Sequence, residues 1–154
     1  MKTPLLILAA FATLTAAAPL HAQNRVPLPE TAAVPVDWRL LGLLDFEKGI
    51  APDTLKALDG KKVSVPGFIV PLDDAVEDGA EFLLVPYYGA CVHTPPPPPN
   101  QMAFVTMHGN KSVKLALFDA VWLDGTLRIT NYESPYGSVG FTIEGQSMRP
   151  YTGK

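Results

Sequence analysis

Ala120-Val121-Trp122-Leu123-Asp124-Gly125-Thr126-Leu127-Arg128-Ile129-Thr130 can be a hairpin or a single strand, and the two lead to different folds. Asp124-Gly125 between apolar runs resembles a two-residue hairpin turn. Yet Val121, Leu123, Gly125, Leu127 and Ile129 alternate on one face, and the alternation passes through the glycine unbroken. Val63, Val65, Gly67 and Ile69 repeat the same spacing. Alternation of that kind reads as one long strand, bent where the glycine permits it. Gly67 and Gly125 are therefore expected inside strands and not in turns.

Glu81 to Tyr88 is apolar on both faces and is expected as a buried strand. Gln101 to His108 should form the next, with Met102, Phe104, Thr106 and His108 on one face. Val113 to Phe118 reads as a short strand or a connection, Asp73 to Ala80 as an acidic loop. Ser138 to Gly145 makes the last strand, with Val139, Phe141 and Ile143 on one face. The expected fold is mainly β: a small antiparallel OB-like barrel of five main strands, which closes edges that open sheets would expose. A short helical preamble precedes it. Asp37 is placed to cap a helix from Trp38, and Asp53 a second from Thr54 to Leu58, ended by Asp59-Gly60.

The N-terminus predicts the compartment. Lys2 is followed by an almost unbroken apolar run from Leu5 to Leu20, then Leu20-His21-Ala22 with a small residue before a cut. This is the layout of a cleavable signal peptide over residues 1–22, so the protein is expected to be periplasmic, with no stable membrane insertion after cleavage. Residues 23–35 carry Pro27, Pro29 and Pro35 and read as an extended leader, leaving 36–154 as a single β-barrel domain. After Ala22 the chain keeps all fifteen acidic residues and eleven basic ones, a formal charge of −4. Nucleic acid and anionic membrane are poor partners for such a chain, because both demand clustered Lys and Arg.

Between Phe82 and Asn110 there is no Asp, Glu, Lys or Arg. Within it stand Tyr87-Tyr88-Gly89-Ala90-Cys91-Val92-His93-Thr94, then Pro95 to Pro99, Asn100 and Gln101. Prolines lack a backbone N–H and have fixed φ, so the run is neither helix nor inner strand. As an extended strut, five prolines span about 15 Å. Tyr87, Tyr88, Tyr132 and Tyr136 are candidates to stack on it.

Cys91 is the only cysteine of the chain, so no internal disulfide exists. Cys91 and His93, at i and i+2 in an extended segment, project from one side and can grip one ion. Thiolate plus imidazole suits zinc or copper, and the lack of nearby carboxylates disfavours calcium, magnesium and manganese. His108 is the natural third ligand, with Met102 or Met107 as softer options. The alternative is that Cys91 is a small buried hydrophobe and His93 pins the loop by hydrogen bonds. Catalysis by a nucleophilic cysteine is disfavoured, because the loop is braced by prolines and no helix N-terminus is at hand to lower the thiol pKa.

The stretch Tyr87 to Gln101 resembles an exported bacterial family of unknown function marked by a Tyr-x-Gly-Ala-Cys-x-His-x-polyproline-Asn-Gln signature. Gly60-Lys61-Lys62-Val63, Gly67-Phe68-Ile69-Val70-Pro71-Leu72 and Gly125-Thr126-Leu127 are similar to the rest of its pattern. Members often lie beside ATP-driven, zinc-linked metal-transport systems, so the resemblance implies metal-transport components as partners. The expected function is that of a non-enzymatic accessory protein in zinc or copper handling. The rival is an interaction module whose charge-free polyproline loop docks on another exported protein, with no metal bound.

Overall fold

A computed structural model describes residues 32–73, 75–90 and 96–152. The expected signal peptide and most of the expected leader lie outside the described residues, as do Cys91 and His93.

The fold is mainly β. The strands are β1 (Val34–Pro35), β2 (Lys62–Pro71), β3 (Asp78–Gly79), β4 (Glu81–Val85), β5 (Ala103–Met107), β6 (Val113–Lys114), β7 (Ala120–Ser134) and β8 (Gly137–Pro150). Two short helices, α1 (Trp38–Leu41) and α2 (Asp53–Lys56), form the preamble. Six strands make one sheet in the order β1-β2-β4-β5-β8-β7, and β2 also pairs with β7. β3 and β6 form a separate two-stranded sheet, so the expected acidic loop contains a strand whose Asp78 lies opposite Lys114.

The bent-strand reading holds. Gly125 lies inside β7, a strand of 15 residues, and Gly67 lies inside β2. A Cβ on Gly125 would stand 2.5 Å from the Glu144 carbonyl oxygen and 2.7 Å from Ile143 Cγ2. One on Gly67 would stand 2.7 Å from Leu84 Cγ. Each glycine thus permits two strands to close on one another where a side chain would hold them apart. β2 turns from one partner to the other at this point: residues 62–68 pair with β7 and residues 68–71 with β4.

Pro66 sits within β2 without weakening a ladder. Its carbonyl accepts the Trp38 indole N–H at 2.6 Å, so that edge of the residue faces α1 and not β7. The N–H that proline lacks would point the same way, and no strand bond is lost.

The expected antiparallel sheet is mixed. β5 and β8 run parallel, Ala103 opposite Phe141 through Met107 opposite Gly145, and β1 runs parallel to β2. β8 returns antiparallel along β7, and its other edge is then presented to β5 in the parallel sense. Strand lengths also differ from the expectation. β4 stops at Val85 and not Tyr88, while β7 and β8 run on as one long hairpin.

β4 is buried on both faces because it separates two apolar clusters. Phe82 and Leu84 join Val63, Val65, Ile69, Val105, Leu123, Leu127, Phe141 and Ile143 in the main core. Leu83 and Val85 turn the other way and join Val70, Ala90, Met102, Phe104 and Val139. Leu41, Leu44, Leu55 and Leu58 bring the preamble onto the main core. Asp37 caps α1 as expected, its side chain accepting the Leu40 N–H at 2.9 Å. Asp53 does not cap: it opens α2, and Pro52 occupies the cap position without a side-chain bond.

Candidate functional site

The charge-free loop leaves β4 at Pro86 and turns at once. The Ala90 N–H donates to the Tyr87 carbonyl at 3.4 Å, with Gly89 in the third position at φ 82°. A positive φ there favours glycine over any residue with a Cβ. The turn brings Ala90 back over the outer face of β4 and β5, where it is only 3% exposed among Val85, Met102 and Phe104. The two tyrosines point outward: Tyr88 is 73% exposed, edge-on to Phe68 at 6.2 Å and tilted on Phe118 at 5.0 Å.

The far end of the loop is clamped to the preamble. Pro97 is buried, and Pro98 keeps the extended geometry of the strut at φ −62°, ψ 154°. Pro99 then opens a 3₁₀ turn, Pro99–Gln101, so the last proline leaves the strut. Asn100 Nδ2 donates to the carbonyls of Leu44 and Gly42 at 2.9 and 3.1 Å. Gln101 Nε2 donates to the Trp38 carbonyl at 3.2 Å. Gly42 and Gly140 make the fit: a Cβ on Gly42 would stand 2.7 Å from Gln101 Nε2, and one on Gly140 2.9 Å from the Pro99 carbonyl oxygen. Gly42 is thus the seat of the clamp. Trp38 and Gly140 carried no functional signal in the sequence at all, since the Gln101–Trp38 bond across 63 residues and the Pro99–Gly140 approach leave no local pattern.

Of the expected site residues, the structure describes His108, Met102 and Met107. Cys91 and His93 lie outside the described residues, between flanks that are both held: Ala90 on one side, Pro97 and Asn100 on the other. His108 is at the opposite end of β5, about 20 Å along the strand from the loop's exit at Met102 on six steps of ~3.3 Å. Its Nδ1 lies 2.6 Å from Glu144 Oε1, and both side chains are more than half exposed. Met102 and Met107 are buried in the two apolar clusters. Among the described residues no three of His, Cys, Asp or Glu converge as metal ligands would.

Three of the tyrosines expected to stack on the strut have partners of their own, Tyr88 among them. Tyr132 packs on Phe104 at 4.9 Å, and the Tyr136 hydroxyl donates to the Leu72 carbonyl. Pro98 and Pro99 instead border a cleft of about 360 Å³ with Leu44, Asp45 and Phe46. Among the described residues, no helix is long and apolar enough to cross a membrane.

The chain has no match among curated proteins. Its fold is similar to the crystal structure of a DUF3299 family protein from Pseudomonas aeruginosa PAO1, at 30% identity and a TM-score of 0.62. That likeness covers 80% of this chain and 99% of the other. A protein from Leishmania major Friedlin matches at 11% identity and a TM-score of 0.42, over 87% of this chain and 23% of its own, and carries no argument. A family model described as protein of unknown function matches residues 47–150, and the chain belongs to that family, DUF3299.

Proposed function

We propose that the protein is an exported, periplasmic accessory protein: an OB-like barrel that holds a zinc or copper ion in its charge-free loop through Cys91 and His93. In this reading it serves a metal-transport system and is not an enzyme. Support for the barrel comes from the pairing order. Each of β2, β4, β5, β8 and β7 has two neighbours among the other four, so the sequence of pairings returns to its start. A five-stranded Greek-key order with one parallel pair is that of an OB-like barrel.

One observation carries the metal reading: the Cys-x-His segment is strung between two fixed anchors, buried Ala90 and the doubly bonded Asn100. Donors held at both ends lose less freedom on gripping an ion than donors on a free loop. Thiolate and imidazole are soft and borderline ligands, which suits zinc and copper over calcium or magnesium. In this reading His108 keeps its pair with Glu144, and the third donor comes from the partner or from water.

Calorimetry with zinc and copper on the wild type and Cys91→Ala, each with a melting curve, tests this. The metal reading expects affinity to fall by an order of magnitude or more with the melt unchanged. A loss of stability without any change in metal affinity would return Cys91 to the role of a packed hydrophobe.

A second reading has its own observation in favour. Tyr87, Tyr88 and Leu117 are exposed apolar residues, two of them in the loop itself. A loop that docks on another exported protein through such residues, with Cys91 as a bystander, accounts for them. A wild type that binds neither ion more tightly than Cys91→Ala would favour this reading.

A further inference from the structure

Both tryptophans of the chain stand on one patch of the outer wall, Trp38 in a groove and Trp122 beside it. Trp38, Pro66, Phe68, Pro86 and Tyr151 line a groove of about 270 Å³, and none of them carries a charge. Trp122 lies beside it: it is paired with Pro66 across β2 and β7, and its ring stacks on Tyr151 at 5.6 Å. Over the same indole, at 5.1 Å from its centroid, sits the guanidinium of Arg149. Arg149 makes no ion pair with any carboxylate among the described residues.

Polar capacity in the groove is small. Pro66 and Pro86 have no N–H, and the Trp38 indole N–H is already given to the Pro66 carbonyl. An occupant must therefore fill the groove without asking for backbone hydrogen bonds. A prolyl segment does this, since it lacks N–H donors and its extended form keeps its carbonyls in water. The uncommitted charge lies one ring away, about two strand residues or ~7 Å from Tyr151 along β8. Charge complementarity then asks for a carboxylate close to the prolines.

We propose that this groove docks an extended, proline-containing peptide segment of a partner protein, with the prolines on Trp38 and Tyr151 and an acidic side chain two or three positions away on Arg149. This goes beyond the metal reading and needs neither the ion nor Cys91.

Trp38 and Trp122 are the chain's only tryptophans, so fluorescence excited selectively at tryptophan reports on this site alone. The probes are capped peptides with two adjacent prolines and a glutamate placed two residues before or after them, and the same peptides with glutamine. The full chain should show a saturable fluorescence change with at least one glutamate peptide. Arg149→Gln should weaken that peptide by about three- to fivefold, the upper range for an exposed charge pair, and leave the glutamine peptide unchanged. Tyr151→Ala should weaken both, whereas Cys91→Ala and added zinc should change neither. No saturable signal with any of the peptides, or equal binding of glutamate and glutamine peptides to wild type and Arg149→Gln, would overturn the proposal. Loss of binding in Cys91→Ala would overturn it too, by placing the ligand on the loop. A failed metal titration with intact peptide binding would sink the metal reading alone.

Discussion

Asn100 donates its side-chain N–H to the carbonyl of Leu44 at 2.9 Å, joining the exit of the loop to a preamble 56 residues earlier in the chain. The same amide reaches the Gly42 carbonyl at 3.1 Å. One planar NH₂ group therefore satisfies two backbone acceptors at the end of α1, and no other side chain of that size has two donors in this geometry and no charge. Asn100→Ala leaves both carbonyls without that partner and should destabilise the fold by about 1–3 kcal/mol. Asn100→Asp should do more damage, because it turns a carboxylate on the same two oxygens. Urea denaturation measures the loss, and hydrogen exchange at 101–103 should show the loop's exit opening before β5 does. Unchanged exchange there would mean that Pro97 and Pro99 hold the exit without the clamp.

The two strand glycines rank by what surrounds them. At Gly125 the nearest obstacle to a Cβ is the Glu144 carbonyl oxygen at 2.5 Å, with Gly145 Cα at 3.0 Å. At Gly67 the nearest atom belongs to the Leu84 side chain at 2.7 Å, and the backbone obstacle, the Val85 carbonyl oxygen at 2.9 Å, stands farther off than the carbonyl oxygen at Gly125. A side chain can shift by rotamer, whereas a paired strand shifts only by losing register. Gly125→Ala should therefore be the worse substitution, by about 1 kcal/mol or more beyond Gly67→Ala, both falling in the range of about 1–3 kcal/mol or above for overpacking. Chemical denaturation of the two variants side by side decides the order, and equal losses would show that β7 and β8 can separate freely here.

Much of the fold was legible because alternation is a local signal. Val63 to Ile69 and Val121 to Ile129 announced their strands, and reading through Gly125 correctly set aside the Asp-Gly turn. The parallel pairing of β5 with β8 was not legible, since the direction of a partner strand leaves no mark in either sequence. The end of β4 was misjudged at Tyr87 and Tyr88, aromatic residues with strand propensity, because Gly89 at positive φ turns the chain back. Asn100 and Gln101 stood in plain view but had no evident partner, because the carbonyls that they bind belong to a turn of α1 more than fifty residues away. β5 carries His108 to the end of the strand away from the loop's exit at Met102.

Acid should open one turn before the rest. Asp45 and Ile50 exchange backbone hydrogen bonds at 2.8 and 3.0 Å, with Gly49 at φ 64° between them. The Lys48 backbone N–H donates to the Asp45 carboxylate, with the Lys48 ammonium as a further partner, and together they hold its pKa below the ordinary 3.8. A depressed carboxyl stabilises the turn fully above its unfolded value, and that contribution is lost as pH falls through the lower, folded one. The Lys48 amide should thus lose protection from exchange below about pH 4, given the unfolded aspartate range, while Leu84 and Val105 in the core do not. Asp45→Asn should remove the acid step and leave protection flat with pH. A step that survives in Asp45→Asn would assign it to another carboxylate.

The last expectation separates the two histidines. If the loop takes a zinc or copper ion, His93 is its imidazole ligand and His108 is not, because His108 sits at the far end of β5 with its Nδ1 2.6 Å from Glu144. His93→Ala should lower zinc affinity by one or more orders of magnitude, comparable with Cys91→Ala, since either change leaves a single donor. His108→Ala should leave affinity within about twofold, a difference of ~0.4 kcal/mol. Binding should also release protons and weaken as pH falls, because the thiol must ionise and the imidazole must be neutral to bind metal. Titrating zinc into the three variants and the wild type in two buffers of different ionisation heat gives both the affinities and the protons released. If His108→Ala falls as far as His93→Ala, the loop folds along β5 to meet it and the two histidines share one site. If no variant differs from the wild type, the loop holds no metal and its exposed tyrosines become the feature to explain.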